Sequence, residues 1–274
     1  MFLKENLDSN SIKLTSLQQK KLDMSSSIED LKTVIFCNII TTSLSKDSGE
    51  VIRLNLKYAK IDKDGNLSKL SKTISMFNDP ERELTAEEKK FLDFDIETIK
   101  DQKINWNSVQ NIIDQADFVF SHNSNFVRPF LQKYIKEEGE WGCTLEFIDW
   151  KEMGFPSRNL ETLCVFSGFY YNFSKSTESL EALVTLLVEN NLINSLLERS
   201  KKPDLQIFAA NSPRELNYLL KDRGYRLNPD VFCWWKSIDS KESGEEETRW
   251  LSNNLQGCEP QVFEVDKKFR FINN

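Results

Sequence analysis

Residues 116–130, ADFVFSHNSNFVRPF, constrain the fold of this chain more than any other stretch. The apolar run Phe118–Phe120 predicts a short buried strand, which leads directly into a polar turn at residues 121–123. The helical segment that follows keeps its apolar side chains on one side, namely Phe126, Phe130 and Leu131. In many α/β proteins such a strand-to-helix turn carries binding or catalytic residues, so this stretch predicts an α/β fold with a functional turn.

Strand-like and helix-like segments alternate around this stretch. Val51–Ala59 alternates apolar and polar residues, which predicts a strand with one exposed face. The other predicted strands are 33–40, 71–77 and a region within 141–148, and the predicted helices are 106–115, 126–138, 159–167 and 178–198. This order of elements predicts a three-layer α/β domain.

Changes in composition divide the sequence into three parts. Residues 1–30 form a polar leader with a weak helical pattern around Leu14–Leu22, and residues 31–200 form the α/β domain. Residues 201–274 form a small α+β domain after a linker at Lys201–Asp204. Its predicted elements are a strand at 205–209, a helix at 212–222 with Pro213 at its first position, a hairpin around 228–230, a helix at 245–255 and a strand at 261–265.

Composition limits the compartment and the kinds of partner. No apolar run approaches the ~18 residues of a bilayer span, and the N-terminus has no apolar h-region of a secretory signal. Five cysteines without CxxC spacing argue against a disulfide framework, so we expect a cytoplasmic protein with no membrane contact. Residues 201–274 contain 12 basic and 12 acidic residues, so the net charge of −7 lies in residues 1–200. That charge disfavours tight nucleic-acid binding by the first part.

The segment that contains the polar turn resembles the second motif of the DEDDh 3′–5′ exonucleases, His-Asn-Ala-x-Phe-Asp. His122 and Asn123 match it, while Val127 stands where the family has a metal-binding aspartate. The resemblance implies an RNase H-like exonuclease fold, with a mixed five-stranded sheet flanked by helices. It also implies two-metal phosphodiester hydrolysis, in which four carboxylates hold two cations ~3.5–4 Å apart and a histidine acts as general base.

The other two motifs have lost their chemistry as well. Against the first motif, Asp-x-Glu-Thr-Thr, this chain has Asn38 and Ile40 at the carboxylate positions and keeps Thr41 and Thr42. The third motif needs a histidine and then an aspartate five residues later. One alignment places Ser174 and Ser179 there, and a frame shifted by two places Ser176 and Glu181 there. Both frames leave too few carboxylates for two Mg²⁺ ions.

A second copy of the first-motif pattern occurs at Asp95–Thr98, DIET. It lies where the family has a connecting loop, so we interpret it as an exposed acidic helix face. A relocated metal site that uses Asp95, Glu97 or Glu181 is the alternative.

The scaffold resemblance extends to one bacterial branch of these exonucleases that carries a C-terminal unit. It rests on RPF at 128–130, WGC at 141–143, IDW at 148–150, NLETL at 159–163 and the segment from RGYR at 223–226 to Trp234–Trp235. In the last segment Tyr225, Phe232, Trp234 and Trp235 form either a base-stacking platform, with Arg223, Arg226 and Lys236 nearby, or the core of a small domain.

These patterns predict a pseudo-exonuclease that binds single-stranded nucleic acid or a protein partner without hydrolysis. The degenerate catalytic positions are Asn38, Ile40, Val127, Ser174 and Ser179, and no metal ligand is expected. The candidate substrate-binding residues are His122, Asn123, Thr41, Thr42, Trp234 and Trp235. No cofactor is expected, and Mg²⁺ or Mn²⁺ would be needed only by the alternative, an active 3′–5′ exonuclease with relocated ligands.

Overall fold

The computed structural model describes residues 14–17, 31–90, 92–136, 139–228, 231–238 and 240–272. By their contacts the residues form two compact units, one of residues 1–200 with 271–274 and the other of residues 201–270. The leader predicted at residues 1–30 lies mostly outside the described residues. Within its described part, Thr15–Ser16 (β1) is extended and pairs in parallel with Phe169–Tyr170 (β8).

The first unit is built on a mixed sheet. In the described residues its strands are β2 (Lys32–Thr41), β3 (Val51–Ile61), β4 (Leu67–Leu70), β5 (Ile74–Phe77), β6 (Phe118–Ser121) and β7 (Glu140–Cys143). They follow the order β4-β3-β2-β6-β7, and β5 also pairs with β3. The sheet therefore has one strand more than predicted, because the third strand of the meander is split between β4 and β5. Its parallel part is β2-β6-β7, with Val34 opposite Phe118 and Phe36 opposite Phe120.

Helices cover both faces of this sheet, which confirms the three-layer α/β prediction. They are α1 (Ala86–Lys89), α2 (Trp106–Asp114), α3 (Ser124–Leu131), α4 (Leu160–Phe166), α5 (Ser176–Glu189) and α6 (Ile193–Lys201). Val34 and Phe36 of β2 face a core with α4, α5 and α6, and Ile35 and Cys37 face a core with α2 and α3. Successive residues of β2 therefore face opposite cores, as the two-residue period of a strand requires, and both faces of β2 are buried there.

Two helix predictions were wrong in extent. The helix predicted at 126–138 ends at Leu131, and the one predicted at 178–198 is two helices, α5 and α6. The break follows Asn190, where Asn191 adopts φ +53°, a left-handed conformation that interrupts a helix. No single helix in the described part of the chain has the length and hydropathy of a bilayer span; α5 and α6 reach them only together, bent by 93°.

The second unit has the order strand, helix, two strands, helix, strand. Its elements are β9 (Asp204–Ala210), α7 (Asn217–Asp222), β10 (Arg226–Asn228), β11 (Cys233–Ile238), α8 (Lys241–Asn254) and β12 (Glu259–Val265). The strands form an antiparallel sheet in the order β10-β11-β9-β12, which is the split βαβ arrangement. Pro213 is not at the first position of an α-helix as predicted, since it is extended and precedes a 3₁₀ turn at Arg214–Leu216.

Candidate functional site

The polar turn after β6 is held by hydrogen bonds of the His122 ring. The His122 Nε2 lies 2.8 Å from the Arg158 carbonyl oxygen, which only accepts, so this nitrogen carries the proton. The other ring nitrogen, Nδ1, lies 2.9 Å from the Thr144 hydroxyl and is its acceptor in that tautomer. Burial lowers the pKa of His122 below its ordinary value of 6.5, although the bond to the carbonyl opposes that change. Both ring nitrogens are thus used in holding the turn.

The start of α3 is anchored by Ser124 rather than by Asn123. Asn123 stands at the N-cap position, yet its side chain accepts no hydrogen bond from the first turn, and it is exposed. The buried Ser124 hydroxyl instead donates to the Gly142 carbonyl at 2.7 Å on the neighbouring strand β7. This bond fixes the helix on the sheet and turns Val127 into the apolar core with Phe130.

Asn38, at the position of the first lost carboxylate, belongs to a polar network at the end of β2. Its amide nitrogen donates to the Ser176 carbonyl at 2.8 Å, and its oxygen accepts from the amide nitrogen of Asn55 at 2.8 Å. Asn55 is fully buried on β3 and also donates to the Ser176 hydroxyl at 3.0 Å. Its oxygen accepts from the Ser75 hydroxyl at 2.7 Å. Two amides therefore satisfy each other at a position where the motif resemblance implies a carboxylate.

A buried ion pair completes this network. The Arg53 guanidinium donates to both carboxylate oxygens of Asp93, at 2.9 and 3.0 Å, and both side chains are at most 10% exposed. Phe77 and Phe94 flank the guanidinium, with ring centroids 4.8 and 5.6 Å from its carbon. Asp93 also accepts from the backbone N–H of Ser176 at 2.7 Å, at the first turn of α5, where a carboxylate is favoured by the helix dipole.

A second ion pair lies one turn further along α5. The Lys57 ammonium donates to the Glu181 carboxylate at 2.7 Å and to the Ser71 carbonyl at 2.7 Å. The same carboxylate oxygen accepts from the Thr73 hydroxyl at 2.5 Å. The Lys57 and Glu181 side chains are 4% and 14% exposed, so the pair is shielded from water.

The donor set at these positions does not fit the two divalent cations that the family motif implies. No group of three or more His, Cys, Asp or Glu residues within the described ranges could hold a metal ion. The two carboxylates nearest to the network, Asp93 and Glu181, each neutralise a buried cationic side chain. A divalent cation placed there would lie next to Arg53 and Lys57, and like charges at such distances repel each other strongly in a poorly solvated site.

The remaining predicted positions lie near this network or at the surface. Ile40 is half-buried at the bulge of β2, and Ser179 is half-buried on α5, where its hydroxyl donates to the Lys175 carbonyl at 3.3 Å. Ser174 is exposed, and its hydroxyl donates to Asn172 at 2.6 Å. The Thr41 hydroxyl donates to the Ser43 carbonyl, and the Thr42 hydroxyl accepts from the Glu50 N–H. Both threonines therefore bond to the loop that follows β2.

The DIET segment lies outside the network. Its residues 96–99 form a 3₁₀ helix, and Asp95 caps that helix by accepting from the Glu97 N–H at 3.1 Å. Asp95 and Glu97 are exposed, as the interpretation as a solvated acidic face predicts. The carboxylate of this region that enters the network is Asp93, two residues earlier.

Trp234 and Trp235, the adjacent tryptophans of β11, point to opposite faces of the second unit's sheet. Trp234 packs against the core of that unit together with the buried Tyr225, and Lys236 and Arg223 pair with Glu247 on α8. Trp235 lies on the other face, across from Phe208. The predicted four-residue aromatic cluster is therefore divided between the core and the surface.

Arg53, Asn55, Lys57 and Asp93 were not among the candidates from the sequence. The signal for the first three is the polar alternation of β3, which predicts a solvent-exposed face. That prediction was wrong, because Arg53, Asn55 and Lys57 are 8%, 0% and 3% exposed. A strand between two neighbours that carries three polar residues on one face can bury them only if partners are supplied, and here α5 and the segment before the 3₁₀ helix supply them.

No protein-family model matches this sequence, and no curated protein matches it. Its structure, however, is similar to several solved structures. The zinc-ion-bound E. coli ExoI–ssDNA complex has a TM-score of 0.52 and 11% identity, over 84% of this chain and 69% of that one. A 3′-exonuclease in a structure of 3′-end recognition of the histone mRNA stem-loop has a TM-score of 0.46 and 8% identity, over 60% of this chain and 65% of that one. Exonuclease X in complex with 5′-overhanging duplex DNA has a TM-score of 0.42 and 11% identity, over 61% of this chain and 99% of that one.

The likeness to the ExoI structure supports the RNase H-like exonuclease fold that the motifs imply. The chain spans less than two thirds of the length of the histone mRNA 3′-exonuclease. At 11% identity the likeness to the ExoI structure is one of fold alone.

Proposed function

We propose that this chain is an exonuclease-like protein without metal-dependent hydrolysis, which acts as a binding or regulatory module for single-stranded nucleic acid or a protein partner. It works in the cytoplasm and needs no cofactor. The observation that supports the proposal is the pair of buried cations, Arg53 and Lys57, on the strand whose Asn55 bonds to Asn38, the position that the motif resemblance assigns to a metal-binding carboxylate. Lys57 engages Glu181, one of the ligands of the relocated-site alternative, and Arg53 engages Asp93, the other carboxylate of the network.

The chemistry of hydrolysis supports the same conclusion. In two-metal hydrolysis the cations stabilise the attacking and leaving oxygens, and carboxylates must hold them against their own repulsion. The side chains at positions 38, 40, 127, 174 and 179 offer amide, apolar and hydroxyl groups. The histidine of the turn, His122, uses both ring nitrogens to hold its own loop, so it is not placed to accept a proton from water.

A cleavage assay with metal titration tests this proposal. End-labelled single-stranded DNA and RNA are incubated with the full chain in Mg²⁺ or Mn²⁺, and Mn²⁺ binding is followed by calorimetry. We expect intact probes and no saturable Mn²⁺ site. Mn²⁺-dependent cleavage that is lost in Glu181→Gln or Asp95→Asn would support the alternative of relocated ligands instead.

A restored carboxylate provides a sharper control. In Asn38→Asp the new carboxylate faces the Ser176 carbonyl oxygen, to which the amide nitrogen of Asn38 donates. We expect this variant to be less stable than the natural chain and to gain no nuclease activity, because Arg53 and Lys57 still occupy the site. Recovery of Mn²⁺-dependent cleavage by this one substitution would show that the network tolerates a metal.

A further inference from the structure

The outer face of the second unit's sheet is a surface that no helix of that unit covers. Leu205, Ile207 and Ala209 of β9 point to the core with α8, so the alternate residues point outward. Along β12 the outward residues are exposed or half-buried as well. A four-stranded sheet with one covered face leaves the other face to solvent or to a ligand.

Three aromatic side chains form a row on this outer face. Trp235 of β11 lies directly opposite Phe208 of β9, with ring centroids 6.5 Å apart and planes 26° from parallel. The Phe263 ring of β12 meets Phe208 edge to face at 5.5 Å, and Phe263 is 49% exposed. The two stacked rings thus stand on the two central strands, and the third stands on an edge strand.

Groups that could recognise a base or a phosphate surround the row. Gln206 and Gln261 point to the same face, and their amides form no hydrogen bond with another described residue. The exposed Arg226 of β10 lies directly opposite Trp235, and it has no ion pair among the residues that the structure describes. The two carboxylates of the face are engaged, Asp204 with Arg270 and Glu259 with Asn211.

We propose that this face, through Trp235, Phe208 and Phe263, is a platform for single-stranded nucleic acid. Bases stack on aromatic rings of open four-stranded sheets, and free amides read base edges. Arg226 beside Trp235 is placed to contact a phosphate. Residues 201–270 carry 12 basic and 12 acidic residues, whereas the −7 of the chain lies in the first unit, so an anionic strand is repelled less by this unit. The inference rests on the proposed function, since it names the ligand class and the surface of that binding module.

Fluorescence polarisation with the full chain tests the platform. The probes are 12-nucleotide labelled single-stranded RNA and DNA of mixed sequence, at low salt with EDTA, so that binding is measured without cleavage. We expect the natural chain to bind at least one probe, and Trp235→Ala and Phe263→Ala each to weaken Kd about tenfold or more. Trp235→Phe keeps an aromatic face and is expected to bind within a few-fold of the natural chain.

Matched controls separate stacking from folding. Tyr218 is 59% exposed on α7 in the same unit, so Tyr218→Ala removes an aromatic side chain away from the sheet and should leave Kd unchanged. Arg226→Gln should reduce the slope of log K against log salt by about 0.7, the value for one phosphate on a single strand. Circular dichroism of each variant identifies any that fails to fold. If Trp235→Ala does not fold, the Kd of Phe263→Ala, which changes an exposed side chain, decides the test.

Two results would overturn the inference. One is the absence of binding to both probes, which would direct the search to a protein partner on this face. The other is an equal Kd for the natural chain and for Trp235→Ala and Phe263→Ala, which would place nucleic acid elsewhere. The proposed loss of hydrolysis fails separately, by Mn²⁺-dependent cleavage, so the two failures are distinguishable.

Discussion

The polar end of β2 and β3 in the first unit and the outer sheet face of the second unit use similar residues in opposite ways. In the first, the buried Asn55 bonds to the buried Arg53 and to the half-buried Asn38. In the second, Gln206, Gln261 and Arg226 are directed outward beside aromatic rings. The difference teaches that the polar groups in the first unit are satisfied by one another, while these three side chains on the outer sheet face of the smaller unit are left without partners among the described residues.

The largest effect is expected from breaking the buried ion pair. Asp93→Asn leaves the charge of Arg53 buried without a counterion, so we expect a loss of about 3–5 kcal/mol in the free energy of unfolding. Urea unfolding followed by tryptophan fluorescence measures it. Glu97→Gln, on the exposed 3₁₀ helix nearby, is the control and should change stability by less than about 0.5 kcal/mol. A loss below about 1 kcal/mol for Asp93→Asn would mean that the first region is hydrated and open.

Adjacent tryptophans provide a matched pair for the second region. Trp234 packs on the core and Trp235 on the outer face, so Trp234→Ala should cost about 3 kcal/mol and Trp235→Ala about 1 kcal/mol or less. Near-ultraviolet circular dichroism during urea unfolding measures both. Equal losses would show that the outer face is packed like a core, which removes the contrast between the two regions.

The smallest effect concerns pH and the turn of the first region. The folded state holds His122 neutral, with its pKa lowered by burial, so the unfolded chain takes up a proton first as pH falls. Stability should therefore be highest above pH 6.5 and fall below it, by at most about 1.4 kcal/mol per pH unit. Because the chain has one histidine, His122→Gln should flatten unfolding free energies between pH 7 and 5.5. If the unfolding free energy of that variant still falls with pH as steeply as that of the natural chain, His122 is not the source of the pH dependence.

The local elements of the fold could be predicted to a large extent. The strand predicted at 33–40 is β2, and the strand-turn-helix at 116–130 is β6 and α3. Gly168, predicted to end a helix, adopts φ +89° directly after α4. These features depend on neighbours within a few residues, which is why hydrophobic period and turn residues were sufficient.

The candidate site could be predicted only in part. The absence of carboxylates at positions 38, 40 and 127 can be read from the residues themselves. What replaced them was hidden, because Arg53 meets Asp93 across 40 residues and Asn55 meets Ser176 across 121. Alternation along β3 shows that its two faces differ, but it carries no information about what covers the polar face.

The sequence by itself determined the kinds of element, their order and the residue types at the motif positions, since period, turn residues and side-chain type are local properties. The tertiary structure decided which polar groups are buried with partners and which are left at a surface. It buried Arg53, Asn55 and Lys57 beside their partners, and it placed the core of the second unit against Trp234 and not against Trp235. Burial is a property of what packs against a residue, and those partners come from distant parts of the chain.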